Sequence, residues 1–375
     1  MNHQYIKFED VSDDVWDNWV KQISNASFLH STSYLRFLHQ MAPEGCARSF
    51  AILDSSGIPL ALCPFAVSET DGKESTVLQA AWPGDPLAYP AIATCSPTAR
   101  RRLARTIFDL LHAKAQQENI VRMVFRSYPI NQGLMSQEDL PAPQMEALAY
   151  GYQCIPQNRL IMNLKLPLDI LESNMTKYHR RRIHQTEKKG VTVEEYFGNA
   201  SELSALFQSY RKAHFNYYGR QTRPESTFQL MFKTLIESKA TLFVAFIQET
   251  PISFLYCGEF GKMAYGFSQT NVAKYEKEYS PRHLLEWQAI GRYQKRGFLY
   301  YDLGIRWFGP QLYKNPSEKE INISEFKERY GAHLWPDLMF EKFFDRGFFE
   351  FEMGRRFKQF LGSNYFAPSL GSEPS

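Results

Sequence analysis

Apolar and polar positions along the chain describe the same succession of elements twice. Residues 48–68, RSFAILDSSGIPLALCPFAVS, form an apolar run, an Asp-Ser-Ser-Gly turn and a second apolar run, which predicts a hairpin. A Pro- and Gly-rich stretch, WPGDPLAYP (82–90), comes next. In RRLARTIFDLLHAKAQQEN, Leu103, Ile107, Leu110 and Leu111 recur at helical spacing, and IVRMVFRSYP then reads as a strand ended by Pro129. The second half repeats this order. TLFVAFIQETPISFLYCGEF (241–260) predicts a hairpin and MAYGFSQT a further strand. Pro281 stands at the start of the helix RHLLEWQAIGRYQKRG, Gly297 closes it, and FLYYDLG is the next strand. Hairpin, helix, strand thus occurs twice, a pattern-level sign of a duplicated α/β unit.

Between the halves, LIMNLKLPLDILESNMTKYHRRRIHQTEKKGVTVEEY opens as a strand, passes Pro167, enters a charged helix and leaves as the strand GVTVEEY. Residues 200–240 read as helices, with Leu203, Leu206, Phe207 and Tyr210 on one apolar face. The division expected is a first unit at 1–160 and a second at 161–350, which holds the basic helix 175–190 and a closing Phe-Lys motif. Each unit is expected to be a mixed central sheet with flanking helices. The Ser- and Pro-rich residues 363–375 read as a disordered tail.

With 375 residues, 44% hydrophobic and 22% charged, the chain has the composition of a packed globular protein of two domains. A formal charge of +3 leaves nucleic-acid binding to a local basic patch. The N-terminal residues lack the pattern of a signal peptide, and nowhere do about 18 apolar residues run together to span a bilayer. Five scattered cysteines without CxxC spacing point to a reduced, cytoplasmic protein.

GxSxG, GxxxxGK[ST], HExxH and GxGxxG are all missing, which lowers hydrolytic, phosphoryl-transfer and zinc chemistry in the ranking. In the charged helix, Lys177, Arg181, His184 and Lys188 make a continuous basic stripe flanked by Arg180 and Arg182. Such a stripe is either a solvated face or an anion site for phosphates of a nucleotide, a nucleotide-sugar or tRNA. Asp302 ends an apolar strand before Gly304, and serves there either as a base or substrate anchor or as a turn residue. Phe326 and Lys327 precede a Tyr-Gly helix end. That lysine is either an ordinary last-turn cation or an oxyanion stabiliser pointing into a site. The aromatic segments YYGR (217–220) and YEKEYSPRH (275–283), with Tyr218 and Tyr279, line a groove or fill the core. WPGDPLAYP is a loop wall over a ligand or a rigid connector.

Four segments in order, SFLHSTSYLRFL (27–38), KYHRRRIHQTEKKGVTVEEY, SPRHLLEWQAIGRYQKRGFLYYDLGI and ISEFKERYGAHL, resemble motifs of the FemAB family. These are peptidoglycan-precursor aminoacyltransferases built from two GNAT-like domains. The resemblance runs over about residues 25–345. It implies amide-forming transfer of an aminoacyl group from aminoacyl-tRNA to an amine acceptor: a cell-wall precursor, an amino sugar or a small peptide. It implies Lys327 as the oxyanion or tRNA-end stabiliser, Phe326 packing the acceptor adenosine, and Arg180 or Arg181 on substrate phosphate. Asp302 is the candidate proton acceptor. No cofactor is expected beyond the donor. The chain departs from the family in the long insertion DLGIRWFGPQLYKNPSEKE, and in offering only Arg36 where an early lysine holds the precursor. The alternative is a GNAT-type N-acyltransferase using acyl-CoA or an acyl-carrier protein for surface polysaccharide or natural-product synthesis. Against CoA stands KEYSPRHLL, which has no glycine where a diphosphate-binding loop needs one. Peripheral membrane contact with a lipid-linked acceptor stays open.

Overall fold

The computed structural model describes residues 4–93, 95–136 and 145–363. The expected disordered tail, apart from Ser363, lies outside the described residues. Fifteen strands are described: β1 Gln4–Lys7, β2 Phe50–Leu53, β3 Pro59–Cys63, β4 Ser68–Asp71, β5 Thr76–Ala80, β6 Leu87–Ala88, β7 Ala91–Ile92 and β8 Ile120–Ser127 in the first part. They continue with β9 Gln153–Asn163, β10 Val191–Tyr196, β11 Ala240–Ile247, β12 Thr250–Phe260, β13 Met263–Asn271, β14 Tyr300–Arg306 and β15 His333–Phe343. The helices are α1 Asp13–Gln22, α2 Thr32–Met41, α3 Pro97–Gln117, α4 Gln132–Ser136, α5 Leu168–Asn174 and α6 Lys177–Lys188. After them come α7 Leu203–Tyr218, α8 Glu225–Ile236, α9 Ala273–Tyr279, α10 Pro281–Lys295, α11 Glu318–Glu328 and α12 Arg346–Leu361.

Both hairpins form where the pattern places them, β2–β3 and β11–β12; the first is followed by the strands β4 to β7, the long helix α3 and β8, the second by β13, α9, the long helix α10 and β14. In the second copy, α10 connects β13 to β14, which run parallel; in the first, α3 precedes β8, which is parallel to β6. A large mixed sheet runs β10-β11-β12-β13-β14-β9-β15-β8-β5-β4, with β6 beside β8, and a smaller one runs β1-β2-β3-β7. The division expected at 160/161 falls inside β9. Late in the chain, β15 inserts between β9 and β8 and pairs antiparallel with both.

The unbroken apolar run of β11 has a simple cause. Phe243 and Ala245 face one core, shared with α6 and α10, while Leu242 and Val244 face another, shared with α7 and α8. A strand covered on both faces has no reason to alternate. In α10 the residues Leu284, Leu285, Ala289, Ile290 and Tyr293 supply the buried stripe that holds this helix on the sheet. The first half packs α1, α2 and α3 on its own core, and a smaller cluster around Phe28, Tyr128 and Tyr265 joins the halves.

Candidate functional site

The strands β13 and β14 are paired only over Met263–Tyr265 and Tyr300–Asp302. Beyond that point β13 stays with β12 as far as Asn271 and β14 stays with β9 as far as Arg306. The two strands therefore part and leave a notch in the sheet. Two glycines sit at its mouth. A Cβ on Gly266 would stand 3.0 Å from Tyr301 Oη and 3.3 Å from Glu286 Oε1; one on Gly304, at φ +103°, would stand 3.5 Å from Lys327 Nζ. The notch is thus rimmed by Tyr301, Glu286 and Lys327, and any side chain at Gly266 would crowd it.

Each rim group is held by its element. Lys327 comes from the last turn of α11 and donates to the Leu303 carbonyl at 2.6 Å. Tyr301 donates to Glu286 Oε1 at 2.6 Å. Glu286 projects from α10 and is 3% exposed. Burial pushes its carboxyl above the ordinary value, and the nearby Lys327 ammonium opposes this. A carboxyl readier than usual to hold a proton, beside a fixed ammonium, suits a step in which an amine loses a proton and a carbonyl oxygen gains charge.

Asp302 is on the other face. Strand alternation sends Tyr301 and Leu303 into the core under α10 and Asp302 toward Tyr128. There Asp302, 4% exposed, accepts from Tyr128 Oη, from Arg159 Nη1 at 2.8 Å and, through Oδ1, from the Gly304 N–H at 2.6 Å. A row of alternating charge continues from it. Arg159 Nε reaches Asp337 at 2.9 Å, Asp337 lies 3.7 Å from Arg126, and Arg126 reaches Asp85 at 2.9 Å, where Tyr34 also donates. Burial and the Asp85 charge hold the Tyr34 hydroxyl well above its ordinary range, so it stays a donor. Beyond this row, on the same face, opens a cavity of about 630 Å³ between the 82–86 loop, the 305–314 loop and α12.

The comparisons with known proteins bear on this geometry. Residues 173–315, the segment holding α6, α10, β13 and β14, match the acetyltransferase (GNAT) domain family. That segment is similar to a GNAT domain. Over nearly the whole chain the fold is similar to that of FemX, with TM-score 0.62, 14% identity, and 93% of this chain and 99% of that one covered. It is similar to L-PGS from Bacillus licheniformis, with TM-score 0.55, 14% identity and coverage of 93% and 97%. It is also similar to the C-terminal domain of a proposed lysylphosphatidylglycerol synthetase from Agrobacterium fabrum, with TM-score 0.53, 13% identity and coverage of 88% and 92%. No curated protein matches the chain in sequence. The expected fold class, two GNAT-like units with mixed sheets, is the one found, the FemAB-like resemblance is borne out at the level of fold, and the chain is an N-acyltransferase. Among the described residues, no helix is long and apolar enough to cross a membrane.

Around the GNAT notch the residues expected from the sequence scatter. Lys327, reaching β14 from α11, and Asp302 of β14 lie on opposite faces of that strand, so they do not act on one atom. Arg180 donates to the carbonyls of Glu172, Ser173 and Met175 and caps α5. Arg181 is exposed on α6, together with Lys177, His184 and Lys188. The Phe326 ring is enclosed by His179, His283 and Tyr330, with centroids at 4.9, 4.9 and 5.7 Å. Tyr279 packs near the Tyr275 ring at the end of α9, with Lys189 over its own ring. Tyr218 is exposed at the end of α7, under Lys319 of α11. Arg36 is tied to Asp13 at 2.7 Å and lies over the Phe8 ring, within the α1–α2 pair.

Glu286 and Arg159 were missed by sequence reasoning. For Glu286 a signal exists, since it is a charged residue on the same apolar stripe of α10 as Ala289, Ile290 and Tyr293, where charge costs burial energy unless it has a use. For Arg159 none exists, because its partners are 143 and 178 positions away.

Proposed function

We propose that the protein transfers an aminoacyl group from aminoacyl-tRNA to an amine, forming an amide at the notch between β13 and β14. The donor choice rests on the start of α10. A GNAT domain using coenzyme A needs unengaged N–H groups at this helix start to take the diphosphate. Here Pro281 has none, the Ser280 N–H goes to the Glu276 carbonyl and the His283 N–H to the Ser280 carbonyl. The Arg182 guanidinium is bound to Ser280 Oγ over the same spot. A nucleic-acid end needs no such cradle. It is served instead by exposed cations, and Lys177, Arg181 and Lys188 on α6 supply them. The similarity in fold to FemX and to a domain named for lysylphosphatidylglycerol synthesis adds support.

In this reading the amine attacks the ester carbonyl, Lys327 stabilises the oxyanion, and Glu286 takes the proton that the nitrogen loses. Asp302 holds β14 in place through Arg159 and Tyr128 and leaves proton transfer to Glu286. No covalent intermediate and no cofactor beyond the donor take part, and a cytoplasmic enzyme acting on a cell-wall precursor or another amine fits the same scheme.

The test is donor binding by the full chain: charged tRNA, uncharged tRNA, acetyl-CoA and a long-chain acyl-CoA, each at low and high salt. Micromolar, salt-sensitive binding with preference for charged tRNA is expected. Tight binding of a CoA ester with no preference for tRNA would move the enzyme to acyl-CoA chemistry, which the family's description as acetyltransferases favours. Binding of neither would leave an acyl-carrier protein as donor.

A further inference from the structure

Three guanidiniums share two carboxylates in the cavity of about 630 Å³ that opens beyond the charged row. We propose that this cluster is a phosphate site and that the cavity takes an organophosphate, with its phosphate on Arg122 and Arg355 and its organic part against the aromatic wall. The cavity lies on the sheet face away from Lys327 and Glu286, so the site stands apart from the transfer chemistry and does not depend on it.

The bonding shows which cation is short of a partner. Arg122 comes from β8, Glu341 from β15, and Glu352, Arg355 and Arg356 from α12, and all five line the cavity. Arg356 takes Glu341 through two nitrogens at 2.8 and 2.6 Å and Glu352 through Nε at 2.7 Å. Arg355 takes Glu352 at 2.8 and 2.9 Å. Arg122 is left with 3.3 Å to Glu341 and 3.4 Å to Glu352, longer than the about 2.7–2.9 Å of a charge-assisted bond. Its Nε and Nη2 turn instead to the neutral Gln79 amide oxygen. Three positive charges thus face two negative ones, and the Arg122 side chain is only 16% exposed. A buried charge without a full counter-charge is costly, and an anion supplies what is missing. Burial disfavours the charge on both Arg122 and Arg356. For Arg356 the two glutamates outweigh burial and its pKa rises; for Arg122 they do not, and its pKa falls.

Neighbouring charges do not make up the difference. Lys314 is tied to Glu320 at 3.3 Å. Arg126 serves Asp85 and Asp337, and stands four residues from Arg122, roughly 13 Å along β8. The row from Asp302 to Asp85 has three carboxylates to two guanidiniums, but its surplus at Asp302 is met by the Tyr128 hydroxyl and the Gly304 N–H.

Free donors and room choose the ligand. The Arg355 side chain is 48% exposed, and its Nη1 makes no hydrogen bond among the described residues. It reaches in from a helix while Arg122 reaches in from a strand. A tetrahedral phosphate offers oxygens in both directions, whereas a planar carboxylate suits the fork of a single guanidinium. The volume lies within the roughly 300–1,000 Å³ of small-molecule sites and far exceeds one phosphate. The half-buried Trp307 and Tyr313 give the remainder flat walls, fit for a sugar or the glycerol of a lipid headgroup.

The experiment is calorimetric titration of the full chain with ribose 5-phosphate, dihexanoyl phosphatidic acid, ribose and ribonate. One of the two phosphates is expected to bind at least about tenfold tighter than ribose or ribonate. Ribose 5-phosphate ahead identifies a free phosphate ligand, and the lipid ahead identifies a headgroup. Arg122→Met is expected to weaken that binding about tenfold, as for loss of one charge-assisted hydrogen bond. Arg355→Ala, on the exposed side of α12, gives the same answer if Arg122→Met folds poorly. Phosphates bound no tighter than ribose, ribonate bound tighter than both, or phosphate binding unaltered in the two variants would overturn the proposal. Charged-tRNA affinity is expected to hold within about twofold in both variants. A parallel loss of it would make these arginines part of a nucleic-acid surface and overturn the small-ligand site.

Discussion

Replacing Arg159 by Met removes the cation that the buried Asp302 and Asp337 share. Arg159 contacts Asp302 at 2.8 Å and Asp337 at 2.9 Å, and Met keeps much of the volume without the charge. Asp302 retains two donors, the Tyr128 hydroxyl and the Gly304 N–H. Asp337, at 0% exposure, retains only Arg126 at 3.7 Å. Breaking a buried pair from one side costs roughly 3–5 kcal/mol. At about 2.1 cal/mol/K per residue, a chain of 375 residues unfolds with an entropy of about 0.8 kcal/mol/K, so Tm falls by roughly 4–6 °C. Calorimetry at neutral pH checks this, and a Tm loss below about 2 °C would refute the claim that this row is one energetic unit.

Three further outcomes follow. Lys327→Ala is expected to lower kcat by about 10²–10³ in single-turnover transfer, as for loss of one oxyanion donor, and to leave Tm nearly unchanged. Turnover within threefold of the parent would remove Lys327 from the chemistry. Arg180→Ala, which strips the cap from three carbonyls, is expected to cost about 1–3 kcal/mol in urea unfolding, whereas Arg181→Ala costs none and lowers the salt slope of tRNA binding by about one. Equal effects of the two on tRNA binding would show that α6 does not face the nucleic acid through Arg181. Burial lowers His30, His39, His179 and His283 to about 4. The folded chain keeps these imidazoles neutral while the unfolded chain takes up protons near 6.5. Stability is then full above pH 6.5 and declines toward pH 4, and a urea midpoint that stays level from pH 7 to pH 5 would contradict this.

Local pattern was enough for the order of hairpin, helix and strand in both halves, since each of those elements is specified by neighbours a few positions away. Turn residues at 54–57, the helical spacing of Leu103 to Leu111 and the Pro281–Gly297 bracket need no tertiary information. Lys327 was legible too, as a cation in the last turn of a helix that ends near glycine, and the helix delivers it to the notch. Asp302 was legible as a residue but not in its role, because only strand alternation and the partners Arg159 and Tyr128 decide which face it serves. Arg180 and Arg181 are adjacent and chemically identical. The packing of α5 against α6 turns one into a cap and leaves the other in solvent. Glu286, the charged row from Asp302 to Asp85, and the cavity walled by Arg122 and Arg356 all join residues far apart in the chain. Contacts over such separations are set by how strands pair and part, and only the folded sheet contains that information.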